Sequence, residues 1–361
     1  MHIIRVRSSQ FVVIIVIVAL IALASYRQMT RRAEKRRTAE QAESRSFNRS
    51  LAKLSTKILS PYWHFRPSFL NSPNGDLGSP KIPHIIHQVW DTNMVPMRYE
   101  KWIKTWKALH PTWEHWFWTL DDVRDLVVKH YSDHLVLYDS YQEPIFRADV
   151  MRYFVLHRFG GIYVDLDMEA LKPLDNWTFH YNCLVSEECY EHTYVVREQK
   201  DANILNGFIA CQRGHPFLKL AIDSLGEFAR KDFGNPLYAT GPFFFNAVLQ
   251  QYEKLPSTGN TVTVVPPRYF FPTYDESESD TISGKCYPGK LRQMLEKGQL
   301  VCRELLMHSF RNVRSSDAYT DHYWVHAHMY DAAWKMANAK MVSVMAPGIN
   351  SAKEKLLKWR F

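Results

Sequence analysis

The chain has 361 residues, 14% of them aromatic, and a formal net charge of +8. The basic excess is confined to residues 1–60, which hold 12 Lys and Arg against 3 acids and leave 33 basic and 34 acidic residues for the rest. A body so nearly neutral, with no nucleic-acid module in its pattern, excludes nucleic acid as the partner that a pI near 9.1 would otherwise suggest.

From the N-terminus, Phe11 to Ala24 are fourteen uninterrupted apolar residues preceded by Arg5 and Arg7. That length is short for a spanning helix and fits a signal-peptide core nearly as well. No small-x-small cleavage site follows, and a basic stretch begins at once, so the segment reads as an uncleaved transmembrane signal anchor over 11–26 behind a cytosolic tail of 1–10. Arg27, Arg31, Arg32, Lys35, Arg36 and Arg37 outnumber the two leading arginines, and the positive-inside tendency alone would place the C-terminal side in the cytosol. The glycosylation acceptors Asn48-Arg-Ser and Asn176-Trp-Thr point the other way. Residues 27–80, charged and then rich in Pro, Ser, Asn and Gly, read as a stem and linker. A folded domain is expected over 81–335 and a tail over 336–361.

Within the domain the pattern predicts a strand at His84–Trp90, a helix around Met97–Leu109, an aromatic strand at Glu114–Thr119 and a helix from Leu120 to Lys129. A helix through Arg147, a Gly160-Gly161 turn and a strand at Ile162–Val164 follow. This alternation indicates an α/β sheet, with a nucleotide expected at the carboxyl ends of its strands. Five cysteines, all after residue 180, allow up to two disulfides in an oxidising compartment with one thiol over, and their pairing is not readable.

The chemistry concentrates in RADVMRYFVLHRFGGIYVDLD, Arg147 to Asp167. Asp165 and Asp167, two apart at the end of an apolar strand, are expected to present carboxylates to one face and attract a hard divalent ion such as Mn²⁺ or Mg²⁺. Asp149 and Arg152, three apart on the preceding helix, share a face. Alone, an Asp-x-Asp is commonly a solvated turn and an Asp-Arg pair a surface ion pair. The helix, the glycines, the strand and Asp-x-Asp in that order are a far more specific signal.

This segment resembles the core of glycosyltransferase family 32, the DXD sugar transferases that include inositol phosphoceramide mannosyltransferases. The resemblance runs from Ile82 to Met329 and includes IPHIIHQVW (Ile82–Trp90), LKPLD (Leu171–Asp175), RGHPF (Arg213–Phe217), TGPFFF (Thr240–Phe245) and FFPTY (Phe270–Tyr274). It implies a GT-A fold, a mixed and mostly parallel sheet flanked by helices. It also implies retaining transfer of a hexose, favouring mannose from GDP-mannose, to a lipid such as inositol phosphoceramide or to a glycan. By the same analogy Trp90 stacks on the base, Asp149 binds sugar or ribose hydroxyls, and Arg152 binds sugar or phosphate. Asp165 meets ribose or metal-bound water, and Asp167 is the firmer metal ligand. His322, Trp324 and His326 match a C-terminal HHWVHSW-like segment, from which Tyr323, Ala327 and His328 depart, and His326 is taken as the third metal ligand and a donor contact. Tyr238, Thr240, Gly241 and Pro242 are placed in a turn near the acceptor. The implied setting is a single-pass type II protein of the Golgi or endoplasmic reticulum with a lumenal domain. A UDP-sugar-dependent α-galactosyl or N-acetylglucosaminyl transferase is the alternative within the class, and a catalytically silent lumenal carbohydrate-binding protein the alternative outside it.

Overall fold

The computed structural model describes residues 20, 23–32, 34–35, 38, 65–71, 78–232, 234–256, 259–329 and 338–358. Residues 1–60 form one unit and 61–361 another. In the first, residues 23–32 are helical. Among the described residues no helix is long and apolar enough to cross a membrane, and the anchor expected over 11–26 lies outside them except for residues 20 and 23–26.

The second unit is an α/β domain on a seven-stranded sheet. Its strands, with short two-stranded companions, are β1 (Ile85–Trp90), β2 (Met94–Pro96), β3 (Glu114–Thr119), β4 (Gly161–Val164), β5 (Met168–Ala170), β6 (Cys183–Glu187), β7 (Ile204–Cys211), β8 (Thr263–Val265), β9 (Thr320–His322), β10 (Ala339–Met341) and β11 (Asn350–Ser351). The main sheet runs β11-β3-β1-β4-β7-β6-β8. β11, β3, β1 and β4 are mutually parallel, as are β6 and β8, while β7 is antiparallel to β4 and to β6. The sheet is therefore mixed and mostly parallel, as expected.

Alternation along the strands divides the core in two. Ile85, Val89, Tyr163 and Ile209 join a cluster with helical Val127, Val150, Phe154 and Phe244. Ile86, Ile162, Val164 and Phe208 join another with Trp106, Trp113, Trp177 and Phe270. The helices that cover these faces are α1 (Glu100–Leu109), α2 (Leu120–His130), α3 (Pro144–Phe159), α4 (Asp175–His180), α5 (Pro216–Asp232), α6 (Pro236–Ala239) and α7 (Pro242–Tyr252), with α8 (Glu296–Met307) and α9 (Ala352–Lys358) later in the chain.

Local chemistry sets the boundaries. Thr119 opens α2 with a capping box: its hydroxyl accepts from Asp122 N–H, and the Asp122 carboxylate accepts from Thr119 N–H at 2.9 Å. Pro144 takes the first position of α3, where its missing N–H costs nothing. Gly160 and Gly161 end that helix at φ 68° and 105°, and a Cβ on Gly161 would lie 2.5 Å from Ile85 O, so only glycine lets β4 lie against β1 here.

One boundary differs from the sequence reading. The segment set aside as a tail, 336–361, is part of the domain in its described residues: β10 pairs with β2, β11 extends the main sheet beside β3, and Ala352 enters the core. Its strands are too short to show a period of their own, and they acquire one only by pairing with partners more than 200 residues away. The cysteines pair as Cys183–Cys211 and Cys286–Cys302, leaving Cys189 as a buried thiol.

Candidate metal and donor site

The site forms where β4 runs out. Asp165 follows Val164 and stays tied to the sheet, its N–H donating to Gly207 O at 3.0 Å. A Cβ on Gly207 would sit 2.8 Å from Asp165 Oδ2, so this glycine makes the space the carboxylate occupies. The strand does not continue through Asp167. Met168 N–H instead donates to Asp165 O at 3.1 Å, closing a turn, and the turn rather than strand alternation brings the two carboxylates together. β5 then pairs with β9, setting Met168 opposite His322.

The third group beside the aspartates is His322, not His326. One ligand atom from each of Asp165, Asp167 and His322 lies within 4.8 Å of the others. His322 Nε2 is 3.1 Å from Asp167 Oδ1, and Asp167 Oδ2 accepts from Val325 N–H at 2.8 Å. The imidazole of His326 is turned to Asp275 Oδ2 at 2.8 Å, although the residue lines the same cavity. Four positions of difference, across the end of a short strand and an irregular segment, were beyond what the sequence pattern could resolve.

Arg152 links the helix to the turn. It meets Asp149 Oδ1 at 2.9 Å and Asp165 Oδ1 at 3.0 Å, with its guanidinium over the Tyr163 ring. Tyr163 OH donates to Asp165 Oδ1 at 2.6 Å. Asp149 also accepts from Asn206 Nδ2 and from the Thr240 hydroxyl, each at 3.0 Å. The expected turn at Thr240 and Gly241 thus lies behind Asp149, with Leu237 and Pro242 on the cavity wall and Tyr238 exposed.

Burial pushes the Asp149 carboxyl up to about 6, against the pull of Arg152. Burial likewise raises Asp165, opposed by Arg152 and reinforced by Asp167. For Asp167 burial acts upward too, but His322 and the Val325 N–H together hold it below the ordinary carboxylate range. Burial opposes protonation of His322, but Asp167 raises its imidazole above the ordinary value; a divalent cation that displaced that proton would face three carboxylates and one guanidinium, an excess of two negative charges. The oxygen-rich donor set suits Mn²⁺ or Mg²⁺, and His322 Nδ1 is a buried nitrogen without a hydrogen-bond partner.

These groups face a cavity of about 420 Å³, within the range of small-ligand sites, whose far wall is formed by Val89, half-buried Trp90, Asp91 and Tyr99 at the carboxyl end of β1. All six residues singled out from the sequence, Trp90, Asp149, Arg152, Asp165, Asp167 and His326, line it. His322, Tyr163 and Asn206 complete it. Tyr163 was legible in principle, two positions before Asp165 on the same strand face, whereas Asn206 arrives from β7 with no local signal. A second cavity of about 430 Å³ holds none of these residues and is bordered by Cys189, Glu191 and Glu304, whose carboxyl is pushed up to about 7 by burial and by Glu191.

Residues 96–184, which contain the Asp165-Leu166-Asp167 turn, match the family described as the glycosyltransferase sugar-binding region containing the DXD motif. That match covers about a quarter of the chain. It is 37% identical over 184 residues to inositol phosphoceramide mannosyltransferase 3 of Schizosaccharomyces pombe, covering 49% of this chain and 48% of that protein. It is 32% identical over 219 residues to a mannosyl phosphorylinositol ceramide synthase of Saccharomyces cerevisiae, covering 58% and 52%. The chain thus spans about half the length of the curated relatives it matches. Among solved structures, a galactosyltransferase in complex with donor and acceptor sugar analogues is similar at 12% identity and a TM-score of 0.38, over 76% of this chain and 99% of the other.

Proposed function

We propose that the domain is a DXD-family, metal-dependent glycosyltransferase of GT-A arrangement that moves mannose from GDP-mannose, with retention, to a lipid such as inositol phosphoceramide or to a glycan. The observation that carries this reading is the joining of Asp165, Asp167 and His322 in one cavity with Arg152 and Trp90. Asp165, Asp167 and His322 would hold the ion. Bound there, Mn²⁺ or Mg²⁺ would supply positive charge opposite the departing nucleoside diphosphate.

The protein's own groups do the rest. Arg152, held between Asp149 and Asp165, presents a fixed cation to the diphosphate without an ordering cost at the moment of reaction. Asp149, itself held by Asn206 and Thr240, fixes that guanidinium from behind, and the one lone pair left on its carboxylate would accept a hydroxyl of the donor. Trp90 stacks on the nucleobase at the end of β1. The two disulfides and the exposed acceptor Asn176 support a lumenal domain of a Golgi or endoplasmic reticulum membrane protein.

Calorimetry with Mn²⁺ present tests the donor. GDP-mannose should bind more tightly than UDP-galactose or UDP-N-acetylglucosamine, and Trp90→Ala should weaken it by roughly tenfold to a hundredfold, the worth of one base-aromatic stack. Tighter binding of a UDP-sugar would transfer the assignment to the galactosyl or N-acetylglucosaminyl alternative. Donor binding without transfer or donor hydrolysis would favour the silent carbohydrate-binding reading.

A further inference from the structure

His322 ends β9, and the loop that follows it carries His326. Trp324 and His326 adopt φ of 52° and 51°, the left-handed region that residues with a side chain occupy only when their surroundings impose it. Inside the cavity Asp167 holds the Val325 N–H between them; from outside it the loop is met by the π-helical turn Glu191–Val196. His192 of that turn is buried, and both of its ring nitrogens are engaged. Nε2 accepts the backbone N–H of Asp275 at 2.9 Å, so the ring proton is on Nδ1, which faces Glu188 Oε1 at 3.1 Å. Glu188 is paired in turn with Arg197.

Through these contacts the ring reaches both sides of the loop. Asp275, whose N–H it holds, pairs with His326 through its carboxylate. The edge of the ring packs against Trp324 with centroids 4.5 Å apart, and Trp324 rests against the His322 imidazole at 4.3 Å while its indole N–H donates to Thr273 O at 3.1 Å.

We propose that His192 is a positioning residue which, from behind the cavity, sets the loop carrying Trp324 and His326 and, through Trp324, the imidazole of His322 at the end of β9, the third metal-holding group; this rests on the metal and donor reading of that cavity. His192 touches neither aspartate and acts only through Trp324 and Asp275. A π-helical turn is rare, and such turns recur beside functional sites, in keeping with a ring that must meet a backbone N–H, a carboxylate and an indole at once.

The test compares the full chain with three variants. His192→Phe keeps a ring against Trp324 and removes both polar contacts, His192→Gln restores an acceptor near the Nε2 position, and His192→Asn keeps a donor for Glu188 but loses the acceptor for Asp275. Hydrogen exchange is followed over 271–278 and 320–329, and Mn²⁺ affinity is measured without nucleotide. With His192→Phe, exchange should quicken and Mn²⁺ affinity fall, each by about tenfold, the worth of one buried hydrogen bond. His192→Gln should recover most of both, and His192→Asn should behave like the phenylalanine variant and replaces it if that protein does not fold. Unchanged exchange in both acceptor-less variants overturns the proposal, as does quickened exchange with unaltered Mn²⁺ affinity. If the wild-type chain binds no more Mn²⁺ than Asp167→Asn, the metal reading has failed, and the exchange measurement alone then supports or overturns the positioning role.

Discussion

On β1 and β3 the sheet buries His87, Gln88, His115 and Trp118, while beside the end of β4 Asp149 and Arg152 of α3 and the turn residue Asp167 are buried and Asp165 is half-buried. The first group is neutral and paired, save that Gln88 Nε2 and His115 Nδ1 have no hydrogen-bond partner. Trp118 N–H donates to His87 Nδ1 at 3.1 Å, His87 Nε2 faces Gly160 O at 2.9 Å, and His115 Nε2 faces Gln88 Oε1 at 2.8 Å. Burial drives the two imidazoles down to about 4 and about 3, so they stay uncharged at neutral pH. The second group is charged, carries more acid than base and opens onto a cavity. Neutral groups that satisfy each other can be buried at little cost and serve to fix strand register, whereas buried charges seldom stabilise a fold more than apolar residues would. Their concentration at one end of one strand is therefore a mark of chemistry.

The sharpest way to break this contrast is to neutralise the charged group at its centre. Asp167→Asn and Asp165→Asn should each leave the fold intact, because neither opens a core cavity, and should lower transfer by roughly a thousandfold or more through loss of leaving-group stabilisation. A folded Asp167→Asn protein turning over at the wild-type rate would remove the metal assignment.

Arg152→Met is expected to act on stability as well. It leaves Asp149 and Asp165 buried without their shared cation, a change worth about 3–5 kcal/mol in buried ion pairs, and chemical denaturation at neutral pH would show it. A methionine variant as stable as the parent would mean that the cluster costs the fold nothing.

The smaller effect belongs to the neutral cluster and is lost in acid. His87 and His115 have folded values below the ordinary 6.5, so the unfolded chain takes up protons first as pH falls. The stability they contribute is complete above 6.5 and is lost progressively on acidification toward their folded values. Between pH 6.5 and 5 each loses about 2 kcal/mol. His115→Gln, which keeps a donor toward Gln88 and does not titrate, should flatten the acid limb of a thermal-melting profile by that amount; an unchanged slope would show that this imidazole is not held neutral.

Much of this molecule was legible along the chain. β1, α1, β3, α2 and β4 stand within a few residues of where periodicity placed them, because each is long enough or apolar enough to show its own repeat, and Gly160 and Gly161 mark the place where α3 becomes β4. Asp149 and Arg152 meet because a helix turn brings residues three apart together. Asp165 and Asp167 were found for a partly mistaken reason, since the turn closed by Met168 and not the strand sets their carboxylates side by side. The choice of His322 over His326 was decided by β9 pairing with β5 and by Asp275 capturing the other imidazole. Asn206, the Thr240 hydroxyl and the return of residues 338–358 to the sheet were likewise settled only by pairing across tens to hundreds of residues. Local sequence determines which segments are helix or strand and which side chains share a face, because those follow from backbone periods of a few residues. Which imidazole reaches a carboxylate depends on strand registers and irregular loops, where a shift of one or two positions changes the partner without altering any pattern in the sequence.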